Sequence, residues 1–101
     1  MANESIDTAA DLVRVLNHPT RLRLLNLLTV EGPLCVRDIV AKLQVDQATC
    51  SHHLSELWRA ELLTRTRVDR FTHYGINRRK TINTVAKQLV AIVTNAPRWE
   101  A

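Results

Sequence analysis

The chain has 101 residues, 46% of them hydrophobic and 24% charged, with only two Gly, three Pro and two Cys. This suits one helix-rich globular domain spanning residues 1–101 and excludes a disordered chain or a disulfide-stapled scaffold. The net charge of +4 is concentrated: from Arg59 to Lys80 seven cations stand against two anions, which favours a polyanionic partner over a merely solvated basic face.

Ile6, Ala9, Ala10, Val13 and Leu16 recur at helical spacing and predict a first helix. It stops before His18-Pro19, because proline disfavours helical geometry in the residue before it. Thr20 is placed to cap a second helix, with Leu22, Leu25 and Leu28 on one face and Leu24 and Leu27 widening it, ending near Glu31-Gly32-Pro33. So wide an apolar face predicts the centre of the core.

Val36, Ile39, Val40 and Leu43 predict a short third helix, and Gln44-Val45-Asp46 leads into a fourth that carries Cys50, Leu54, Leu57 and Trp58. Two short helices joined by about three residues fit a helix-turn-helix. Thr64 to Val68 and Phe71 to Ile76 then alternate around Asp69-Arg70 and read as a hairpin. A last helix, Thr81 to Asn95, carries Ile82, Val85, Ala86, Leu89, Ile92 and Val93, and Pro97 marks its end. Trp58 and Trp99 read as packing residues.

Four helices, a basic hairpin and a final helix make a mainly α chain with a small β-hairpin, in winged helix-turn-helix order. The terminal helices carry apolar stripes that a domain this small buries only in part, so they predict a homodimer paired through its first and last helices. Such a dimer presents two recognition helices to a near-palindromic site on double-stranded DNA.

The segment DQATCSHHLSEL, Asp46 to Leu57, looks at first like a Cys/His metal cluster. At about 100° per residue, however, Cys50 falls on the stripe of Leu54 and Leu57 while His52 points almost the opposite way, so the two cannot share an ion within one protomer. Cys50 therefore reads as a small core hydrophobe and His53, on the flank of the stripe, as a buried or half-buried packing residue. The outward side offers Thr49, Ser51, His52, Ser55 and Arg59, with Gln47 near the helix start. Gln can bridge adenine, Ser and Thr reach base edges or phosphates, and Arg reaches phosphate. On the hairpin, Arg65, Arg67 and Arg70 are expected to track the nucleic-acid backbone, with Arg70 nearest the tip and a minor-groove candidate.

Cys35 falls where the third helix would have its N-cap, beside Arg37. Two readings stay open there: an inert sulfur cap, and a sensor thiol whose thiolate is favoured by the helix dipole and the nearby cation. A Cys35–Cys50 disulfide is not expected, because a helix and a turn hold the two Cα atoms beyond the ~7 Å limit.

Four separated blocks carry a resemblance. Asn17-His18-Pro19-Thr20-Arg21-Leu22-Arg23-Leu24-Leu25, Leu34-Cys35-Val36-Arg37-Asp38-Ile39, Ala48-Thr49-Cys50-Ser51-His52-His53-Leu54-Ser55-Glu56-Leu57 and the hairpin end Thr72-His73-Tyr74 resemble, in order and spacing, the ArsR/SmtB family of bacterial winged-helix repressors. The resemblance implies a homodimer that binds an operator and is released when an inducer, often a metal or metalloid, occupies a sensor site. Metal-responsive members carry Cys-Val-Cys at the third helix, whereas this chain has Cys35-Val36-Arg37. The last-helix zinc site of other members needs Asp/His pairs, and Thr81 to Asn95 contains no Asp, Glu, His or Cys. No metal site is assigned from the sequence, and the candidate sensors are Cys35 and Cys50. The family usually has Gly where Asp69 stands, which keeps the turn but sets an acid near phosphates.

No GxSxG, HExxH or Gly-rich phosphate loop occurs, so an enzyme is not expected and no cofactor is required. No apolar run approaches the ~18 residues of a bilayer span and the Met-Ala-Asn-Glu-Ser start lacks a basic segment before an apolar one, so a cytoplasmic location with reduced thiols is expected. The leading reading is a dimeric DNA-binding repressor whose effector is unassigned, with thiol oxidation or a soft metal or metalloid at Cys35 first to be tested. The alternative, from another class, is a winged-helix module that binds a protein partner and has no operator of its own.

Overall fold

The structure is a computed structural model that describes residues 2–81. In chain order it contains α1 (Ala2–Leu16), α2 (Pro19–Glu31), a two-residue strand β1 (Leu34–Cys35), α3 (Val36–Leu43), α4 (Gln47–Arg59), β2 (Leu63–Val68), β3 (Phe71–Ile76) and α5 (Arg78–Thr81). The expected course of the last helix beyond Thr81, and Trp99, lie outside the described residues. Among the described residues no helix is long and apolar enough to cross a membrane.

Each helix boundary has a local cause. α2 begins on Pro19, whose fixed φ and missing N–H suit the first helical position. His18 is the extended N-cap residue and its side chain makes no capping bond. Thr20 lies inside the first turn, so the expectation that its hydroxyl caps α2 is corrected: proline sets the start. The helix stops at Gly32, whose φ of 80° lies where only glycine is at ease, and the Gly32 N–H donates to the Leu28 carbonyl at 3.0 Å. α3 stops at Gln44, a left-handed residue (φ 56°) whose N–H donates to the Val40 carbonyl at 2.8 Å.

The core joins Leu12, Val15 and Leu16 of α1 to Leu24, Leu25 and Leu28 of α2, Ile39 of α3, Cys50, Leu54 and Leu57 of α4, and Leu62, Leu63 and Tyr74 at the base of the hairpin. Within α2 the fully buried line is Leu24, Leu25 and Leu28, while Leu22 and Leu27 are only half-buried. Arg21 continues that buried line one turn earlier and is itself 4% exposed.

The sheet has three strands in the order β1-β3-β2, with both pairs antiparallel. The hairpin extends one residue earlier than expected, to Leu63, and β1 is an addition to the sequence reading. Leu34 pairs with Tyr74 and Cys35 with His73, so the chain entering α3 is stitched to the wing. Gly75 makes this approach fit: a Cβ there would meet Pro33 Cγ and Thr64 Oγ1, each at 3.2 Å.

Candidate nucleic-acid interface

α4 is held firmly at both ends. At its start Asp46 accepts from the Thr49 backbone N–H at 2.9 Å. Hydrogen bonds from Thr49, side chain first and backbone second, hold the Asp46 carboxyl below the usual carboxylate range. At its end the Leu62 N–H donates to the Leu57 carbonyl at 3.0 Å and the Glu61 N–H to the Trp58 carbonyl at 2.9 Å, with Glu61 left-handed at φ 64°. This is a Schellman closure, and the accompanying apolar contact is between Leu57 and Leu62, both fully buried. The chain is thereby turned from α4 into β2. Asn77 closes the far side of the hairpin, its N–H donating to the Leu62 carbonyl at 3.0 Å and its side-chain amide to the Glu61 carbonyl at 2.9 Å.

Between these ends α4 separates its side chains as helical geometry predicts. Cys50, Leu54 and Leu57 are fully buried, whereas Gln47, Thr49 and His52 are exposed and Ser51 and Ser55 are half-buried at the margin. Arg59 is exposed and pairs with Glu56 at 3.0 Å, so a phosphate would have to compete with a carboxylate for it. Arg65, Arg67 and Arg70 are all exposed, and among the described residues none of the three has an ion-pair partner. Asp69 takes the left-handed turn position with φ 57°.

Behind this face lies a contact absent from the sequence reading. The Arg21 Nε–H donates to His53 Nδ1 at 3.0 Å, and its Nη1 donates to the Val15 carbonyl at 2.9 Å. One buried guanidinium therefore ties the end of α1 and the start of α2 to the middle of α4. His53 is half-buried, as expected, with the His18 and His52 rings at 5.7 and 5.8 Å. Accepting at Nδ1 requires the imidazole to be unprotonated there. Burial first, then the charges of Arg21, His18 and His52, lower the His53 pKa. The sequence signal for Arg21 was available: it sits three, four and seven residues before Leu24, Leu25 and Leu28, on their stripe.

Two aromatic side chains stand under arginines of neighbouring elements. Trp58, read as a packing residue, packs at the edge of the domain: it is 37% exposed and lies under Arg65, with Cζ 3.6 Å from the ring centroid. Leu57 and Leu62 are fully buried at the end of the core, and Trp58 stands at its edge. On the opposite face of the hairpin Arg37 covers Phe71 at 5.3 Å, so the cation beside Cys35 is engaged by the wing.

Both cysteines are free and buried. Cys50 is fully buried, and burial first, then the Asp46 charge, raises its thiol pKa. Cys35 occupies the N-cap position of α3, but its side chain makes no capping hydrogen bond, so the sulfur-cap reading is corrected to a buried thiol, 6% exposed. Among the described residues no group of three or more His, Cys, Asp or Glu side chains is placed to hold a metal ion.

Comparison with known proteins gives consistent matches. A family model described as "Bacterial regulatory protein, arsR family" matches residues 18–65. An uncharacterized HTH-type transcriptional regulator of Methanocaldococcus jannaschii, MJ1325, is 34% identical over 73 residues, covering 72% of this chain and 82% of that protein. The transcriptional repressor PagR of Bacillus anthracis is 34% identical over 76 residues, 75% of this chain and 76% of PagR. The crystal structure of PagR superposes with a TM-score of 0.73 at 28% identity, covering 90% of this chain and 98% of that one. The transcriptional repressor BigR from Xylella fastidiosa superposes with a TM-score of 0.74 at 25% identity, covering 98% and 95% respectively.

Proposed function

The chain belongs to the arsR family of bacterial regulatory proteins, and from that premise we propose that it is a homodimeric transcriptional repressor released from a near-palindromic operator by an effector. It is a DNA-binding transcriptional regulator with a winged helix-turn-helix, like the repressors it matches. The observation that carries the residue assignment is the division of α4: Cys50, Leu54 and Leu57 are fully buried, while Gln47, Thr49 and His52 stand exposed on a rigidly capped helix.

In this reading α4 enters the major groove. Gln47, Thr49, Ser51, His52 and Ser55 read base edges, and Arg59, Arg65, Arg67 and Arg70 grip the backbone. Thr49 also serves the Asp46 cap through its backbone N–H. The dimer is supported by α1, where Ile6 and Val13 lie seven residues apart on one face and are 64% and 52% exposed. A cytoplasmic location follows from the nucleic-acid partner.

Replacing His52 and Ser51 together by Ala tests the reading face. We expect operator affinity to fall about 10-fold or more at fixed salt; unchanged affinity contradicts the assignment. The effector is sought by repeating the titration with reductant, peroxide, zinc and arsenite. Loss of affinity under one condition assigns the signal class, and indifference to all four argues for an organic ligand or constitutive repression. Cys35→Ser should abolish a thiol or soft-metal response if Cys35 is the sensor.

A further inference from the structure

We propose that Trp58 is a positioning platform that holds Arg65 ready for a DNA phosphate, an inference that rests on the DNA-binding reading above. Pairing register puts Arg65 on the same face of the hairpin as Leu63 and Tyr74, which are 2% and 7% exposed and face α4. The Arg65 side chain, though exposed, thus leans back over the end of α4. Its guanidinium carbon rests 3.6 Å from the Trp58 ring centroid, a stacking distance.

Stacking engages the face of a guanidinium and leaves its N–H donors directed outward at the edge. No carboxylate among the described residues pairs with Arg65. Its hydrogen-bonding edge therefore remains available, while its long side chain is restrained. The stack borders an open groove of about 620 Å³ that Arg59, Glu61 and Asn77 also line. A guanidinium edge without a carboxylate partner suits a phosphate diester oxygen. An arginine held in place before binding loses less side-chain freedom on contact than one free in solvent.

Arg59 provides the internal contrast. It borders the same groove, but its donor is taken by Glu56 at 3.0 Å. The aromatic platform orders Arg65 without neutralising it, whereas the carboxylate orders Arg59 at the expense of its charge. Trp58 is 37% exposed and lies outside the buried core cluster, so it can be changed without opening the core.

The test is a binding cycle on duplex DNA across a salt series, using the full chain. Arg65→Ala should weaken binding and reduce the slope of log K against log salt by about 0.9, the loss of one phosphate contact. Trp58→Leu, which keeps an apolar side chain but removes the π face, should weaken binding roughly 3-fold to 10-fold. Trp58→Phe should retain most of the affinity. In the Arg65→Ala background Trp58→Leu should have no further effect, since the platform then has nothing to hold. Additive losses, an unchanged salt slope for Arg65→Ala, or full affinity in Trp58→Leu would each overturn the proposal. In the unbound protein, NMR should show Arg65 Hδ protons shifted upfield by the indole and relieved in Trp58→Leu; no such shift also overturns it. A wild type that binds duplex while Trp58→Leu is silent overturns only the platform, whereas a wild type that binds no duplex overturns the DNA-binding reading with it.

Discussion

Among individual residues, Arg21 and His53 tie α4 to the end of α1 and the start of α2. Arg21→Ala removes both donors and leaves the Val15 carbonyl and His53 Nδ1 without them. We expect a loss of about 2–3 kcal/mol in urea unfolding, the scale of charged buried hydrogen bonds; a loss under about 0.5 kcal/mol would deny the hub its role. The pH dependence has a definite sign. The folded-state pKa of His53 is lowered, so in the window below its ordinary value of about 6.5 the unfolded chain binds the proton that the folded chain resists. The contribution is complete above that value and is lost as pH falls towards the folded pKa. His53→Gln, which can still accept from Arg21 and does not titrate, should therefore lose less thermal stability than wild type between about pH 7 and pH 5; parallel curves would contradict this. Arg21 itself was legible only in part, because its place on the leucine stripe shows in the sequence but its acceptors do not. One is a backbone carbonyl and the other lies 32 residues away.

At the level of elements, α4 was the most legible, since a period of 3.6 and an Asp46 cap are both local signals. β1 was not, because two residues carry no period; Leu34–Cys35 is a strand only by virtue of its partners Tyr74 and His73. The wing shows the same limit. Its alternating sequence predicted the strands, yet β2 buries only Leu63, and each face of the hairpin carries a guanidinium–aromatic pair, Arg65 with Trp58 and Arg37 with Phe71. Neither pairing is visible in one dimension, because each joins residues on separate elements. The turn of the helix-turn-helix offers a direct check of backbone chemistry. Gln44 holds φ 56°, where a Cβ is unfavourable, so Gln44→Gly should raise stability by about 0.5–1 kcal/mol. A destabilisation would mean that the Gln44 side chain does more at this turn than its exposed position implies.

For the whole molecule, the division of charge and apolar surface gives one coherent arrangement. The exposed cations of the wing and the polar side of α4 suit a duplex, while Ile6 and Val13 leave α1 with an apolar face that suits a second copy. Ile6→Glu with Val13→Glu should shift sedimentation from dimer to monomer and reduce operator affinity by at least about 100-fold, because each half-site alone binds weakly. A dimer that survives both charges would place its interface elsewhere. The most direct test of the DNA-binding reading is a fluorescence-anisotropy titration of the purified protein on its operator and on a scrambled duplex over a range of salt. The account predicts a steep linear fall of log K with log salt on both, and an affinity for the operator about 10³-fold or more above the scrambled duplex. A response flat in salt, with no preference between the two, would contradict it and favour a protein partner.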